Sequence, residues 1–422
     1  MSALATVPFT AEAPAFHRLF LSERALLGTT AGVLLSYVLE GPLRLALVLV
    51  RLEMILYARD AVMLALVIWF TVSRQRNTPL LGLLALLLCH FLIGLLSLPS
   101  LAQALMGAKV YVPLAYGVAM APVLRRHPAS VARFARFTLL ITVLGVFGNV
   151  YIAYPWIGMS YETAMGAVEL SRSWSSEGVS RIPGFARASF TAAGIILLSL
   201  APALTITSSR LLRACLVLAS GTAIAVTTTK GAWTGLAAIA ILEVLWRVGR
   251  SWLWGSGASI IAMTSLLLPL VTTQLYLNTA HAATWQLSFV ERIKDMWPRA
   301  LKLFADPLQV VWGRGLGGIG VAQRLGEPTV YNAADNLMLY LLLTFGALGV
   351  VYAGAFVGAV ARYSGENARG SMTAWLRAWL GIWLAGGLTT NMVEDIGIEV
   401  VIGLTVGMAF APRMTQQSEA YA

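Results

Sequence analysis

The sequence predicts an all-α protein that crosses a membrane about twelve times. Two observations support this fold class. Hydrophobic residues make up 58% of the 422 residues and charged residues only 12%, whereas soluble domains are about a quarter charged. The apolar residues also occur in long runs, and a helix needs roughly 20 apolar residues to cross a bilayer. We therefore predict a single integral membrane domain over residues 1–422.

The candidate transmembrane helices are these apolar runs, two of which are short for a complete span. We place them at about residues 25–41, 59–73, 79–98, 107–123, 137–154, 188–206, 211–229, 231–246, 252–273, 336–361, 372–390 and 395–411. Between the first two, residues 42–58 alternate arginines with apolar residues. This segment is predicted to be an amphipathic helix on the outer surface, either as a plain surface element or as a contact for lipid headgroups.

The orientation of the chain follows from short arginine-bearing loops that alternate with the remaining junctions. These loops lie at about residues 73–77, 125–136, 208–213, 247–250 and 362–377. Cytoplasmic loops of membrane proteins are enriched in Lys and Arg, so we predict that both termini are cytoplasmic. No cleavable signal peptide precedes the first span, which we expect to act as its own signal.

Two long loops are predicted on the outer face, at about residues 154–187 and 273–335. Fourteen of the thirty Lys and Arg residues fall on this face, against the usual bias. Long loops are often functional, so this distribution predicts an outer cleft that binds an anion. The second loop should be partly helical, because apolar residues recur every three or four positions between Phe289 and Phe304.

The composition argues against several other classes of protein. The net charge of +11 suits a membrane protein beside anionic lipid, and no zinc-finger spacing or basic tail points to nucleic acid. Cys89 and Cys215 lie in apolar segments, where they are expected to be core residues. No pair of histidines has metal-ligand spacing, so we predict neither a metal site nor a cofactor.

Arg181 and Arg187 are the first candidate anion ligands. They stand six residues apart before the sixth span, and Pro183 and Gly184 should turn the backbone between them. A guanidinium group is planar, permanently charged and suited to phosphate. The alternative is an ordinary interfacial arginine whose charge reaches the lipid headgroups.

Three further cations are candidate anion ligands. Lys230 lies in a tight outer turn, Thr227–Trp233, and its alternative role is simply to end a helix. Arg292 lies in a charged stretch of the second loop, most of which should be a solvated helix face. Arg314 lies in a glycine-rich segment, Gly313–Gly320. Its GxGxxG spacing is not a dinucleotide site, since no strand–turn–helix unit surrounds it, but its backbone amides could approach an anion.

Acidic residues lie at two outer helix ends. Asp335 and Asn336 open the tenth span, where a carboxylate could cap the helix or serve the outer cleft as a general base. The sequence leaves both roles open. Glu394 and Asp395 lie in the last outer turn and are expected to balance the charge of the arginines.

An ordered series of short motifs resembles the O-antigen ligase and O-antigen polymerase superfamily. The series comprises Arg181-Ile-Pro-Gly184-Phe185, Thr229-Lys230-Gly231-Ala232, Arg292, Trp297-Pro-Arg-Ala-Leu301, Gly313-Arg-Gly-Leu-Gly317, Asp335-Asn336-Leu-Met-Leu339 and Gly346-Ala-Leu-Gly349. The ordered match runs from about residue 137 to 362. The ligases carry a histidine, assigned to acceptor activation, where Asp335 stands. The absence of this histidine favours the polymerases, whose function depends mainly on arginines of the two outer loops.

The resemblance implies a GT-C-like fold and an inverting glycosyltransferase in the bacterial inner membrane. The donor would be an oligosaccharide on polyprenyl pyrophosphate, and the acceptor either another glycan or a lipid A core. Membrane lipids and a chain-length regulator are further expected partners. The resemblance assigns roles as follows: pyrophosphate binding to Arg181, Arg187, Lys230, Arg292 and Arg314, with Arg187 and Arg292 also catalytic; proton acceptance to Asp335; support to Asn336, Glu394 and Asp395.

Two other classes compete with this interpretation. A transporter or flippase should show paired Gly/Pro interruptions in repeated halves, whereas the charges here gather at one face. A non-catalytic subunit of a polysaccharide complex would bind the lipid-linked sugar but would tolerate the loss of Arg181 or Lys230.

Overall fold

The computed structural model of the protein describes residues 22–73, 77–163, 166–176, 179–272, 287–366 and 371–411. Both termini, the start of the second outer loop and most of the first predicted cytoplasmic turn lie outside these residues. The helices are α1 Glu23–Val38, α2 Glu40–Leu49, α3 Ala58–Val72, α4 Thr78–Ser97, α5 Leu101–Val110, α6 Val112–Arg126, α7 Pro128–Tyr151, α8 Ser189–Thr205, α9 Arg210–Val226, α10 Lys230–Thr272, α11 Leu287–Glu291, α12 Trp297–Leu301, α13 Pro307–Trp312, α14 Leu337–Phe345, α15 Ala347–Glu366, α16 Ser371–Gly386 and α17 Ile396–Ala409.

The protein is a predominantly helical membrane protein. Within the described ranges, six helical stretches are long and apolar enough to cross a membrane, or seven if the bent pair α1–α2 counts as one span. The six are Glu53–Val72, Thr78–Ser97, Leu101–Arg126, Pro128–Tyr151, Lys230–Thr272 and Ala347–Glu366. Each predicted span overlaps helix, but the first crosses the bend between α1 and α2 and the fourth crosses the junction of α5 and α6. Helices α8 and α17 are shorter apolar helices. The count of twelve crossings therefore stays a prediction.

Two helices break where the backbone takes a left-handed conformation. The tenth predicted span, 336–361, was wrong as a single helix, because Gly346 (φ 65°) separates α14 from α15. A Cβ atom there would lie 2.2 Å from the Val311 carbonyl oxygen. Helix α10 contains a second break at Arg250 (φ 53°, ψ −137°), at the loop predicted to separate the eighth and ninth spans.

Helices α6 and α17 pack backbone against backbone at the centre of the protein. A Cβ atom on Gly117 would lie 2.2 Å from the Val400 carbonyl oxygen, and one on Gly403 would lie 2.1 Å from that of Leu114. Small residues permit such close approach of membrane helices. This contact positions the outer end of α17, where Glu394 and Asp395 precede the helix.

Residues 40–59 form a lateral arm at the outer end of α1. Helix α2 turns 86° away from α1, runs about 15 Å at 1.5 Å per residue, and the chain returns through a 3₁₀ turn at Glu53–Tyr57 to α3. The return is close, since Glu40 Oε2 and Arg59 Nη1 are 3.9 Å apart. The base of the arm is fixed to the first outer loop, because Gly41 N–H donates to the Phe185 carbonyl at 2.8 Å.

The first outer loop contains two small antiparallel hairpins that the all-α prediction did not include. Strands β1 Ser160–Thr163 and β2 Gly166–Glu169 form the first, and β3 Ser175–Ser176 and β4 Val179–Ser180 form the second. The described part of the second loop is helical from Leu287 to Leu301, with a π-helical turn at Arg292–Met296.

Candidate functional site

Arg187 lies immediately outside α8, and hydrogen bonds to its backbone carbonyl fix its position. Its carbonyl accepts hydrogen bonds from Arg172 N–H at 2.8 Å and Ser171 Oγ at 3.1 Å. The Nε of its guanidinium is buried and has no hydrogen-bond partner among the described residues. Burial lowers the pKa of Arg187, the charge of Glu40 opposes this, and Arg44 and Arg172 lower it further. Arg187 therefore faces a surplus of positive charge.

Glu40 is the carboxylate around which the neighbouring arginines gather. It is only 3% exposed, and its Oε1 accepts from Arg44 Nε at 2.9 Å and Nη2 at 2.6 Å. Arg44 Nη1 also donates to Tyr161 Oη at 3.2 Å. Arg59 approaches from α3, and its buried Nε has no hydrogen-bond partner in the described structure. Sequence reasoning missed this arrangement, although Glu40 and Arg44 have the i, i+4 spacing of a helical ion pair.

We call Arg44, Arg59, Arg172 and Arg187 the arginine cluster. Arg59 is also 3.8 Å from Asp60, which pairs with Lys109 at 2.9 Å. With Lys109 included, five cations therefore face two carboxylates, Glu40 and Asp60. Lys109 is 41% exposed, but Arg44, Arg59 and Glu40 are largely buried, and buried charges are normally paired. The excess of three positive charges therefore favours binding of an anion.

Arg181 lies at the edge of the arginine cluster. Its backbone N–H donates to the Trp174 carbonyl at 2.8 Å. The guanidinium groups of Arg172 and Arg181 lie 4.9 and 6.0 Å from the centre of the Trp174 ring. The predicted turn between Arg181 and Arg187 is present, with Gly184 at φ 62°.

Arg292 and Asp335 form an ion pair of 2.9 Å between the second loop and the start of α14. Asp335 does not cap this helix, so that alternative was wrong. The cap is Asn336, whose Oδ1 accepts from Leu339 N–H at 2.8 Å. Ala334 and Asp335 both have positive φ, 62° and 44°. Such backbone strain clusters at functional sites.

Asn336 also joins three separate elements of the fold. Its Nδ2 donates to the Ser265 carbonyl of α10 at 2.9 Å and to the Leu388 carbonyl at 3.2 Å. Leu388 belongs to residues 387–395, which we call the outer connection between α16 and α17. Asn336 thus holds Asp335 beside this connection.

Arg314 is placed apart from the arginine cluster. It is 6% exposed and donates to the Gly318 carbonyl at 2.5 Å and to Glu327 Oε1 at 2.6 Å. Burial acts to raise the pKa of Glu327, but hydrogen bonds from Arg314 and Gln103 outweigh it and lower the pKa. The Arg314 charge is therefore balanced internally.

The glycine-rich segment 313–320 serves packing in this structure. The amides of Gly315, Leu316 and Gly320 donate to carbonyl groups of the protein at 3.0–3.1 Å. A Cβ atom on Gly315 would lie 2.1 Å from the Gly94 nitrogen. These glycines therefore let the segment contact α4, and those amides are already satisfied.

Lys230 begins α10 and is exposed. The next residue, Gly231, lies against the outer connection, because a Cβ atom on it would be 3.2 Å from Thr389 Oγ1 and from Thr390 Oγ1. Lys230 and the pair Arg292–Asp335 therefore both approach the outer connection.

Glu394 is the carboxylate of the outer connection that lies between the two loops. Its Oε1 accepts from Val321 N–H at 2.5 Å and from Tyr340 Oη at 3.4 Å. Burial raises the pKa of Glu394 to about 7, although these hydrogen bonds and the charges of Arg324 and Arg172 act to lower it.

Asp395 has a structural role. It caps α17 by accepting from Ile398 N–H at 3.1 Å, and it accepts from Tyr37 Oη and from Thr191 Oγ1, the latter at 3.2 Å. Burial raises its pKa to about 6, against the lowering effect of these hydrogen bonds. Asp395 therefore joins the outer ends of α1, α8 and α17.

The site thus combines two chemical capacities at the outer end of the helices. Guanidinium groups with spare N–H donors can bind phosphate oxygens bidentately. A carboxylate with a pKa near neutrality can exchange a proton.

Comparison with known protein families agrees with the motif series. The O-antigen ligase family model matches residues 214–354, and a comparison with curated proteins gave no match. The matched segment runs from α9 into α15 and contains Lys230, Arg292, Arg314, Asp335 and Asn336. Arg181, Arg187, Glu394 and Asp395 lie outside it. Residues 214–354 of the chain are therefore similar to the O-antigen ligase family.

Proposed function

We propose that the protein is an inverting membrane glycosyltransferase that polymerises oligosaccharide repeat units carried on polyprenyl pyrophosphate, at the outer face of the bacterial inner membrane. The observation that carries the proposal is Arg187, a largely desolvated arginine with a spare buried N–H donor in a surplus of positive charge. A site with this charge, at the boundary of a membrane protein, suits a lipid-linked pyrophosphate.

The arginine cluster would bind the pyrophosphate of the donor. Arg44 is already engaged by Glu40 and Tyr161, whereas Arg59 and Arg187 each keep a buried donor for phosphate oxygens. Arginine suits this task because its fork matches two oxygens at once. Arg181 lies at the edge of the cluster, and we assign to it and to Lys230, which lies beside the outer connection, contacts with the sugar side of the donor.

The reaction is a single displacement at the anomeric carbon of the donor. The acceptor hydroxyl forms a bond to this carbon as the bond to the pyrophosphate oxygen breaks, and the leaving group retains the electron pair. Negative charge grows on the leaving oxygen, so Arg187 stabilises the transition state more than the ground state. One preorganised donor of this kind is worth about 2.7–4 kcal/mol of barrier.

Glu394 is the group that we assign to accepting the proton of the acceptor hydroxyl. A general base works best when its pKa lies near the working pH, and that of Glu394 is about 7. The family resemblance assigned this role to Asp335. Because Asp335 is engaged by Arg292 at 2.9 Å, we assign it instead to orienting Arg292 toward the acceptor.

Ligation to a lipid A core is the second candidate function, and the family description favours it. Both reactions use the same donor and the same leaving group, so the arginine cluster serves either one. The two candidates differ in the acceptor, which must approach from the second loop and the outer connection.

The test is reconstitution in proteoliposomes with a lipid-linked repeat unit and no nucleotide. Addition of repeats should give a ladder on a gel, and addition of a lipid A core acceptor should leave that ladder unchanged. A single shifted band that requires the lipid A core would establish ligation instead. No product with either acceptor, from a preparation with an intact unfolding transition, would refute both.

A further inference from the structure

The lateral arm, residues 40–59, has an apolar tip that the protein leaves uncovered. Leu49 and Met54 are each 72% exposed, and Val50, Leu52 and Ile55 are at least half exposed. Arg51 stands among them and is also exposed. Contiguous apolar exposure marks a surface that another apolar body covers.

The arm turns sharply away from the direction of α1. Helix α1 leads into it, and the stretch Glu53–Val72 is long and apolar enough to cross the bilayer. Helix α2 turns 86° from α1, so it runs sideways at the outer end of both helices. An arginine among apolar residues at that level can extend its charge to the headgroups.

The base of the arm is part of the arginine cluster. Glu40 and Arg44 belong to the first turns of α2, and Arg59 lies where the arm returns to α3. The tip is about 15 Å away, the length of the ten-residue helix α2. The arm therefore presents cations at one end and hydrocarbon at the other, continuously along one element.

This pattern complements an amphiphile with an anionic head and a long hydrocarbon tail. An ordinary phospholipid head carries one phosphodiester charge, whereas a pyrophosphate diester carries about two at neutral pH. The excess of three positive charges around Glu40 and Asp60 matches the pyrophosphate head better.

We propose that the lateral arm is inserted in the outer leaflet and binds the isoprenoid chain of a lipid pyrophosphate along Leu49–Ile55, so that the lipid enters the arginine cluster sideways from the bilayer. This inference rests on the proposed function for the identity of the head group. It assigns to the arm a binding role for the isoprenoid chain, separate from the chemistry at the sugar.

The test measures binding of two lipid pyrophosphates to the full chain in nanodiscs. Undecaprenyl pyrophosphate has the long isoprenoid chain, and geranyl pyrophosphate is too short to extend from the cluster to the tip. Leu49→Glu and Met54→Glu should each weaken binding of undecaprenyl pyrophosphate by about tenfold, because the burial of one large apolar side chain is lost. Binding of geranyl pyrophosphate should stay within about twofold of the unsubstituted protein.

Leu211→Glu is the matched control. Leu211 is 75% exposed at the start of α9, on the opposite predicted face, so the same substitution there should leave both affinities unchanged. Crosslinking tests the arm without any substitution. A photoreactive isoprenoid pyrophosphate should crosslink to residues 49–55 of the unsubstituted protein. Excess undecaprenyl pyrophosphate should block the crosslink.

The outcomes separate the arm from the proposed function. Unchanged undecaprenyl pyrophosphate binding in both tip variants, or crosslinks only elsewhere, would overturn the role of the arm while leaving the anion site intact. If phosphatidylglycerol blocks the crosslink as well as undecaprenyl pyrophosphate does, the arm holds bulk lipid only. If geranyl pyrophosphate binds the unsubstituted protein and Arg187→Ala equally, the proposed anion site itself is refuted.

Discussion

Arg187 illustrates how one residue acquires its chemistry from remote segments. Glu40 and Arg44 come from α2 and Arg172 comes from the first outer loop. All three shift the pKa of Arg187. The sequence singled out Arg187 because an arginine stood next to an apolar run. It could not indicate the partners, since contacts between distant segments are not encoded in local spacing.

Replacing Arg187 should affect the rate of transfer far more than folding. We expect Arg187→Ala to lower the rate with a lipid-linked donor by about 100- to 1,000-fold, from the loss of one preorganised donor. Arg187→Lys should recover part of the rate, because it restores the charge without the fork. The measurement is the initial rate in proteoliposomes.

Arg133→Ala is the control for this series. Arg133 is exposed on α7 and donates only locally, to the Ala129 carbonyl at 3.3 Å and to Ser130 Oγ at 3.5 Å. Its rate should equal that of the unsubstituted protein. Equal rates for Arg187→Ala and Arg133→Ala would exclude Arg187 from the chemistry.

Glu394 should give the reaction a pH dependence on its acidic side. Burial raises the pKa of this carboxyl to about 7, and only its ionised form can accept a proton. Activity should therefore rise with pH through about 7 and level off above it. Glu394→Gln should remove most of the activity, while Asp335→Asn should lower it and leave the midpoint in place.

Ionisation of Glu394 should lower the stability of the fold, so stability should fall over the pH range in which activity rises. A carboxyl with a raised folded-state pKa binds its proton more tightly in the folded protein, so its contribution is complete below its unfolded pKa, about 4.3. That contribution is lost as the pH rises toward about 7. Thermal unfolding of Glu394→Gln should lack this loss of stability.

The activity profile has its own contradicting outcome. A midpoint of residual activity that stays near pH 7 in Glu394→Gln would show that another group titrates.

At the level of elements, apolar runs located the helices but not their breaks. Hydropathy identifies a segment because it must be buried in lipid or protein. It is insensitive to a single glycine such as Gly346, whose conformation matters only because Val311 approaches it from another element. The lateral arm was predicted as a surface helix, but the return that brings Arg59 to Glu40 depends on a tertiary contact.

Gly346 should be intolerant of any side chain. Gly346→Ala combines a left-handed conformation with a clash against the Val311 carbonyl, so we expect a loss of about 2 kcal/mol or more in stability. Gly354→Ala, in α15, meets no atom within 4 Å and should be neutral or stabilising by up to about 1 kcal/mol. Unfolding in detergent, followed by tryptophan fluorescence, should separate the two. Equal transitions would show that the break at Gly346 is not required.

At the scale of the whole molecule, the proposed chemistry depends on the side of the membrane on which each loop lies. The positive-inside rule assigned sixteen cations to the cytoplasm and left fourteen outside. The structure brings several of the latter together, from the arm and the first loop. Of the five cations that the sequence proposed as anion ligands, Arg187 belongs to this cluster and Arg181 lies at its edge. The other members, and the pairing of Arg314 with Glu327, depend on the fold.

The predicted orientation can be tested with single cysteines. Cys89 and Cys215 are free and exposed rather than in the core as expected, so they should be replaced by serine first. In intact cells, a membrane-impermeant maleimide should label Met159→Cys, in the first outer loop, and should label Arg133→Cys only after permeabilisation. The reverse pattern would place the arginine cluster in the cytoplasm and would contradict the proposed donor.

The glycine contact between α6 and α17 limits how these two helices can move relative to each other. Their backbones pack so closely at Gly117 and Gly403 that a Cβ atom at either position would collide with the other helix, so we expect this pair to move as one unit. If the proposed polymerisation takes place, the lengthening glycan would be accommodated by displacement of the extramembrane segments. Particle images recorded during turnover should superimpose along this pair of helices and diverge in the hairpins above it.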